Sequence, residues 1–453
     1  MSRDQRDRGK LLGSTPILSL LAKMAIPATI AMSVTALYNV VDAMFIGRGV
    51  GSLAIGGLSI AFPIQMVIVA IALMVGIGGA SIVSRALGAN DSARASRVIG
   101  SGLFLILLLS LTLLFVSLAA TDSILVLFGA TPDLLSYARE YLTTVIFGAP
   151  FMAIAIAANH LVRSEGRAEY SMLIVVLGAL LNIALDPLFI FVFGLGIRGA
   201  ALATVIAQFC SFVLVLIFYL KPSTSLNLKA IHLVPDRAML WEIVSLGIPA
   251  FVRQFGTSFF IIVTNNALKT YGSDLHISVF GVVTRLMLFT FMPLIGIAQG
   301  LQPIVGYNFG AQNLPRVREA VKKTSLVSVA IALIFLAIVM LFPESLLRFF
   351  SSDQRLIDIG RDPLRLVLLA IPLIALQMVG VVYFQAIGRA IPALVLSMAR
   401  QVLFLVPLVV LLPRVFGLSG VWAAFPASDV AATVVTLTWL VLAMRRMGLH
   451  QTK

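Results

Sequence analysis

Charge is scarce in this chain of 453 residues. Only 11% of positions are charged and 60% are hydrophobic, whereas a soluble domain carries about 25% charge. The apolar residues run for roughly the 20 positions that an α-helix needs to cross a bilayer, which excludes a water-soluble enzyme. Short segments of strict alternation, the mark of a membrane β-barrel, are lacking. Cys210 is the only cysteine, so no intrachain disulfide and no thiolate metal cluster can form. No pair among His160, His232, His276 and His450 has metal-ligand spacing. The glycine-rich stretch Gly76–Gly79 follows no strand and precedes no Gly-Lys-Ser/Thr, so it is not a nucleotide loop. With no ATP-binding motif and no cofactor signature, any transport work must draw on an ion gradient. The polar Met1–Lys10 start has no short apolar segment with a small-residue cleavage site, so no cleaved signal peptide is expected.

What is present is a series of twelve apolar segments, near 17–46, 53–82, 98–119, 139–160, 170–193, 199–220, 241–268, 278–305, 324–342, 365–386, 391–412 and 418–444. They predict an all-α integral membrane fold with twelve transmembrane helices. The first, seventh and eighth exceed what a bilayer requires, which implies tilt, kinking or a start along the membrane surface. The net charge of +14 does not indicate nucleic acid, because the Lys and Arg residues lie mostly in short loops. With the N-terminus placed inside, 21 of them fall on inner segments, Arg400 among these, and 9 on outer ones. That asymmetry predicts a multi-pass plasma (inner) membrane protein with both termini cytoplasmic.

The chain repeats itself. Pro27/Pro249, Gly88/Gly310, Pro150/Pro372 and Gly166/Gly388 each lie 222 residues apart, inside matching motifs such as "LGANDSAR" and "FGAQNLPR". Four matches in order at one offset indicate duplication. Six spans per repeat is an even number, so both halves keep one orientation, the parallel-repeat plan of alternating-access transporters. The expected organisation is an N-lobe over 1–220 (helices 1–6), a cytoplasmic linker over 221–240, and a C-lobe over 241–453 (helices 7–12), forming two pseudo-symmetric bundles. Gly296-xxx-Gly300 and Gly306-xxx-Gly310 are small-xxx-small patterns that predict close helix crossings.

Ionisable groups within a bilayer cost at least about 2.5–3.5 kcal/mol each and need a reason to be there. Asp42, Asp186, Arg285 and Asp429 qualify. Asp42 shares a helix face with Asn39 and Tyr38, three and four residues earlier. Asp186 follows Asn182 by one turn and precedes Pro187, where the helix should kink and free carbonyls. The two acid–amide pairs could form one polar nest. Apolar surroundings make a carboxyl group in general hold its proton more tightly, and a nest of oxygens can instead take Na⁺, a hard cation. The plainer alternative is that Asp42 only caps its helix near Arg48. For Asp429 the favoured expectation is a structural ion pair with Arg285 or Arg253. Weaker candidates for a substrate cavity are Tyr38, Gln65, Gln254, Asn265, Arg285 and Gln377.

The segments "YNVVDAMFIGRGVGSLAIGGLSIAFPIQ", "GIGGASIVSRALGAND", "RSEGRAEYSM" and "LNIALDPLFIFVFGLGIRGAALATVIAQ" resemble the MATE (multidrug and toxic compound extrusion) family, in its DinF-like or MepA-like branch. The resemblance extends over nearly the whole chain. It implies antiport of organic cations against H⁺ or Na⁺ through a central cavity, without a cofactor and without enzymatic activity. It further implies an ion-coupling site at Asp42, Asn182, Asp186 and Thr204, where Na⁺ could also be held, with Asn39 beside it. Thr204 is singled out by the resemblance alone. Another branch uses acids on helices seven and ten. Here those helices offer Gln254, Asn265, Asn266, Gln377 and Gln385, which points coupling to the first lobe. The expected partners are small amphipathic or cationic substrates and the lipid bilayer, with no nucleic acid, and the protein is expected to act as a monomer. The alternative is a lipid-linked oligosaccharide flippase. That activity would need a cationic cavity, and within the spans only Arg253 and Arg285 clearly qualify.

Overall fold

The computed structural model describes residues 11–221, 232, 234 and 236–449. The basic groups Arg3, Arg6, Arg8, Lys10, Lys229 and Lys453, and His450, lie outside the described residues, as does most of the expected linker. Every long element is a helix: α1 Ile17–Gly49, α2 Ser52–Gly88, α3 Ser92–Ala119, α4 Pro132–Ser164, α5 Ala168–Val192, α6 Gly196–Leu220, α7 Arg237–Tyr271, α8 Asp274–Gly310 and α9 Leu314–Leu341. They are followed by α10, a pair of segments Gln354–Leu368 and Ile371–Ala386 bent by 40°, then α11 Ala390–Leu411 and α12 Pro413–Leu449. Among the described residues, eleven helices are long and apolar enough to cross a membrane, and the bent pair brings the number to twelve.

The helices start earlier than the apolar runs where an amphipathic turn precedes them. α4 begins at Pro132 rather than near 139, and the first segment of α10 begins at Gln354 rather than near 365. These starts carry charges on one face and buried Leu, Ala or Val on the other, so an apolar-run count misses them. α7 begins at Arg237, inside the expected linker. Arg400, counted from the sequence among the inner-segment charges although it falls in the apolar segment near 391–412, lies inside α11, where a π-helical stretch over Ala399–Leu405 runs through it.

The repeat is written into backbone geometry. Asn90 and Gln312, 222 residues apart, are the two non-glycine residues with positive φ among the described residues (59° and 58°). Gly166 and Gly388 end α4 and α10 at φ 82° and 79°, in the left-handed region that favours glycine. Asp91 and Asn313 each cap the following helix by accepting from the backbone N–H three residues on, Arg94 at 2.8 Å and Arg316 at 3.3 Å.

The described chain divides into two compact units that differ from the expected lobe boundaries. Of the described residues, those within 1–14 and 30–247 form one unit and those within 15–29 and 248–453 the other. The first half of α1 therefore packs in the second unit, and the first half of α7 in the first. The divisions fall beside Pro27 and Pro249, where each helix lacks one backbone hydrogen bond. Glycine explains the exchange. In the first unit, a Cβ on Gly78 of α2 would overlap the Ile243 carbonyl oxygen and stand 3.0 Å from the Gly247 nitrogen of α7. In the second, a Cβ on Gly300 of α8 would stand 2.9 Å from the Ala25 nitrogen of α1. Gly78 and Gly300 are again 222 apart, so the close crossing expected at Gly296–Gly300 has a twin on α2. Side chains fasten both crossing segments. Glu242 at the start of α7 pairs with Arg94 at 2.8 Å and Arg85 at 3.4 Å, and Arg316, the counterpart of Arg94, donates to the Thr15 carbonyl. The second unit is filled by Leu268, Val283, Leu364, Leu368 and Phe425 in one buried cluster.

Candidate functional site

Within the first unit, α1, α5 and α6 bring together four of the residues picked out from the sequence. Asp186 and Asn182 are buried at 0% and 2% exposure, and Asp42 and Thr204 are nearly so. α5 is helical through Pro187 and then opens into a π-helical stretch, Leu188–Val192, because Pro187 has no N–H with which to continue the regular ladder. Asp186 sits at the last regular turn. Asn182 Nδ2 donates to Asp186 Oδ1 and to Thr204 Oγ1, each at 3.4 Å. The carboxyl of Asp42 adjoins that of Asp186 within hydrogen-bonding reach. Tyr38, one turn before Asp42, and Tyr141 of α4 lie within electrostatic reach of both acids. Gln65 of α2 donates to the Tyr141 hydroxyl at 3.2 Å, so two of the weaker cavity candidates, Tyr38 and Gln65, border the same nest.

The nest is short of donors. Asp42 Oδ1, Asn182 Oδ1 and Asp186 Oδ2 are buried and accept no hydrogen bond from the described residues. Buried acceptors are nearly always satisfied, and two adjoining carboxyls cannot both stay ionised cheaply. A proton or a small hard cation placed among these oxygens resolves both problems. No group of three or more His, Cys, Asp or Glu suited to a metal ion occurs among the described residues. The oxygen set is two carboxyls, one amide and one hydroxyl.

The other residues picked out from the sequence lie outside this nest. Asn39 is exposed and its amide donates to the Thr35 carbonyl one turn back at 2.8 Å, so it is not part of the nest. Asp429 pairs with neither Arg285 nor Arg253, both of which are exposed. Its partner is Arg400 of α11, with Nε 2.6 Å from Oδ1. Gln377 is buried and committed, donating to the Asp429 carbonyl and to Thr433 Oγ1, each at 2.9 Å. Gln254 and Asn265 are half-buried on α7. His160 is buried at 6% exposure. Tyr141 falls within the apolar segment near 139–160, and nothing in the sequence sets it apart from the other residues of that run as one that meets the acids.

A MatE family model matches residues 27–188 and again 249–411, two copies that begin at the paired prolines. The chain belongs to the MatE family. It is 28% identical over 420 residues to the multidrug export protein MepA of Staphylococcus haemolyticus, with 92% of each chain covered. It is 26% identical over 426 residues to MepA of Staphylococcus aureus, with 93% of each covered. Its structure matches that of a multidrug resistance MATE family transporter of the MOP superfamily in an outward-facing conformation. That match has a TM-score of 0.91 and 27% identity and covers 99% of each chain. A MATE structure in the bent conformation matches with a TM-score of 0.93 and 26% identity over 100% of each. The protein is thus a multi-pass membrane transporter of this family and not an enzyme, and the twelve-helix reading of the sequence agrees with these relatives.

Proposed function

We propose that this MATE transporter exports amphipathic organic cations and drugs across the plasma membrane as an ion-coupled antiporter, working by alternating access as a monomer with both termini in the cytoplasm. The observation that carries this reading is the donor-poor oxygen nest of Asp42, Asn182, Asp186 and Thr204, buried in one unit of a chain similar to multidrug export proteins over more than nine-tenths of its length. The coupling ion is H⁺, with Na⁺ as the alternative, and no cofactor takes part. An ionised Asp42 attracts a cationic substrate. A proton on Asp42 removes that charge and is itself shared with the adjoining Asp186, so ion and substrate compete. Competition of this kind turns an inward ion gradient into outward substrate movement, because each state of the site binds one of the two better.

The test is efflux from proteoliposomes under an imposed pH gradient and then an imposed Na⁺ gradient, with Asp42→Asn alongside wild type. Asn keeps the side-chain shape, so insertion should persist while gradient-driven efflux falls to background. Export by Asp42→Asn at the wild-type rate under the same gradient would move coupling away from this nest. Efflux under the Na⁺ gradient alone would assign Na⁺ instead of H⁺.

A further inference from the structure

The second unit contains an ion pair that the coupling scheme leaves unused. Arg400 and Asp429 lie within α11 and α12, and their side chains are 14% and 0% exposed. A pair retained only for structure is strongest as a fork, with two parallel N–H···O bonds between guanidinium and carboxylate. Here a single bond is made, from Nε to Oδ1 at 2.6 Å. Asp429 Oδ2 is buried without a partner among the described residues. Neither Nη of Arg400 donates to a described residue. The acid thus holds the inner edge of the guanidinium and leaves its outer edge unspent.

The surroundings hold that edge in place. Gln377 of α10 donates to the Asp429 carbonyl and to Thr433 Oγ1, and Thr433 Oγ1 donates back to the Asp429 carbonyl at 2.6 Å, which locks the acid to two helices. Gln401, next to Arg400, exchanges hydrogen bonds with Thr257 of α7 at 3.2 and 3.3 Å. The Phe291 ring of α8 lies 5.3 Å from Arg400 Cζ and covers one guanidinium face. Arg400 itself stands in the π-helical turns Ala399–Leu405, a departure from the α-helix that is common at functional positions.

We propose that Arg400 is a substrate-recognition residue whose two Nη groups bind the carboxylate of an amphipathic aromatic zwitterion, with Phe291 flanking the aromatic body. A planar pair of N–H donors matches two carboxylate oxygens in a way a lysine ammonium does not. Asp429, Gln377 and Thr433 act as positioning residues that aim the fork. The proposal rests on the export reading above.

The test uses two fluorescent probes of nearly equal size, a rhodamine with a free carboxyl group and its ethyl ester, in proteoliposome efflux under the gradient that drives the wild type. The variants are Arg400→Lys and the charge-free pair Arg400→Gln with Asp429→Asn. Wild type should export both dyes. In the double variant the KM for the acid should rise at least tenfold, while that for the ester changes less than twofold, so ester transport also reports that the protein is folded. Arg400→Lys keeps the ion pair and loses the fork. It should weaken export of the acid selectively, and it carries the comparison alone if the double variant fails to insert. Equal losses for acid and ester, or no change in either, overturn the subsite. Wild type that exports the ester and rejects the acid overturns the subsite but leaves the export reading standing. Wild type that moves neither dye under any gradient overturns both.

Discussion

Replacing Gly78 by alanine tests the crossing of α2 with the first half of α7. The added methyl would overlap the Ile243 carbonyl oxygen and stand 3.0 Å from both the Ile243 carbonyl carbon and the Gly247 nitrogen. All three are backbone atoms and cannot turn aside as a side-chain end would. Forcing a methyl into such a contact costs about 1–3 kcal/mol, while exchanging Gly for Ala in a helix returns about 0.5–1 kcal/mol. The net effect runs from near neutral to about 2.5 kcal/mol of destabilisation. Gly102 of α3 is the matched control. A Cβ there meets Val75 Cγ1 at 3.6 Å and Ile243 Cδ1 at 4.0 Å, ordinary van der Waals distances, so Gly102→Ala keeps the helix gain without the collision. The two variants should differ by about 1–3 kcal/mol in opposite directions around wild type. For a body of 150–250 residues, about 2–4 °C of Tm accompanies each kcal/mol, and the first unit is of that size. Thermal unfolding of purified protein in detergent, followed by loss of the monodisperse chromatographic peak, reads the difference. Gly300→Ala, facing Ala25 backbone atoms at 2.9 and 3.1 Å, should behave as Gly78→Ala does. A Gly78→Ala protein that melts at or above Gly102→Ala would refute the close crossing and with it the exchange of helix halves between units.

Two further outcomes are expected. Gly166→Ala and Gly388→Ala should each lower stability by about 1–2 kcal/mol, because both place a methyl-bearing residue at φ near 80°. The nearest neighbour of a Cβ at Gly166 is Leu12 at 3.6 Å, so the cost there is conformational rather than steric, and equal Tm losses in the two variants would bear out the twin backbone. In a background lacking Cys210, membrane-impermeant thiol reagents applied from outside should label a cysteine placed at Ser123 or Ser352 and spare one at Ser92. The reverse pattern would overturn the cytoplasmic placement of the termini.

Most of the architecture was legible in the sequence because it follows from one-dimensional quantities. Run length against bilayer thickness marks the helices, and a constant offset marks the duplication. Asp42, Asn182 and Asp186 could be picked out because a polar group in an apolar run is conspicuous and because residues one turn apart share a face. Asn39 obeys the same spacing and yet turns to its own helix, since spacing does not say which side of a helix meets protein. Helix starts at Pro132 and Gln354 were hidden because an amphipathic turn has no apolar run. Tertiary structure alone decided which elements meet. It brought Tyr141 to the two acids, paired Asp429 with Arg400 instead of Arg253 or Arg285, and assigned the first halves of α1 and α7 to opposite units. Each of these depends on contacts between residues far apart in the chain, made where a glycine, a proline or a π-helical turn changes how closely two helices approach, and neither periodicity nor composition records that distance.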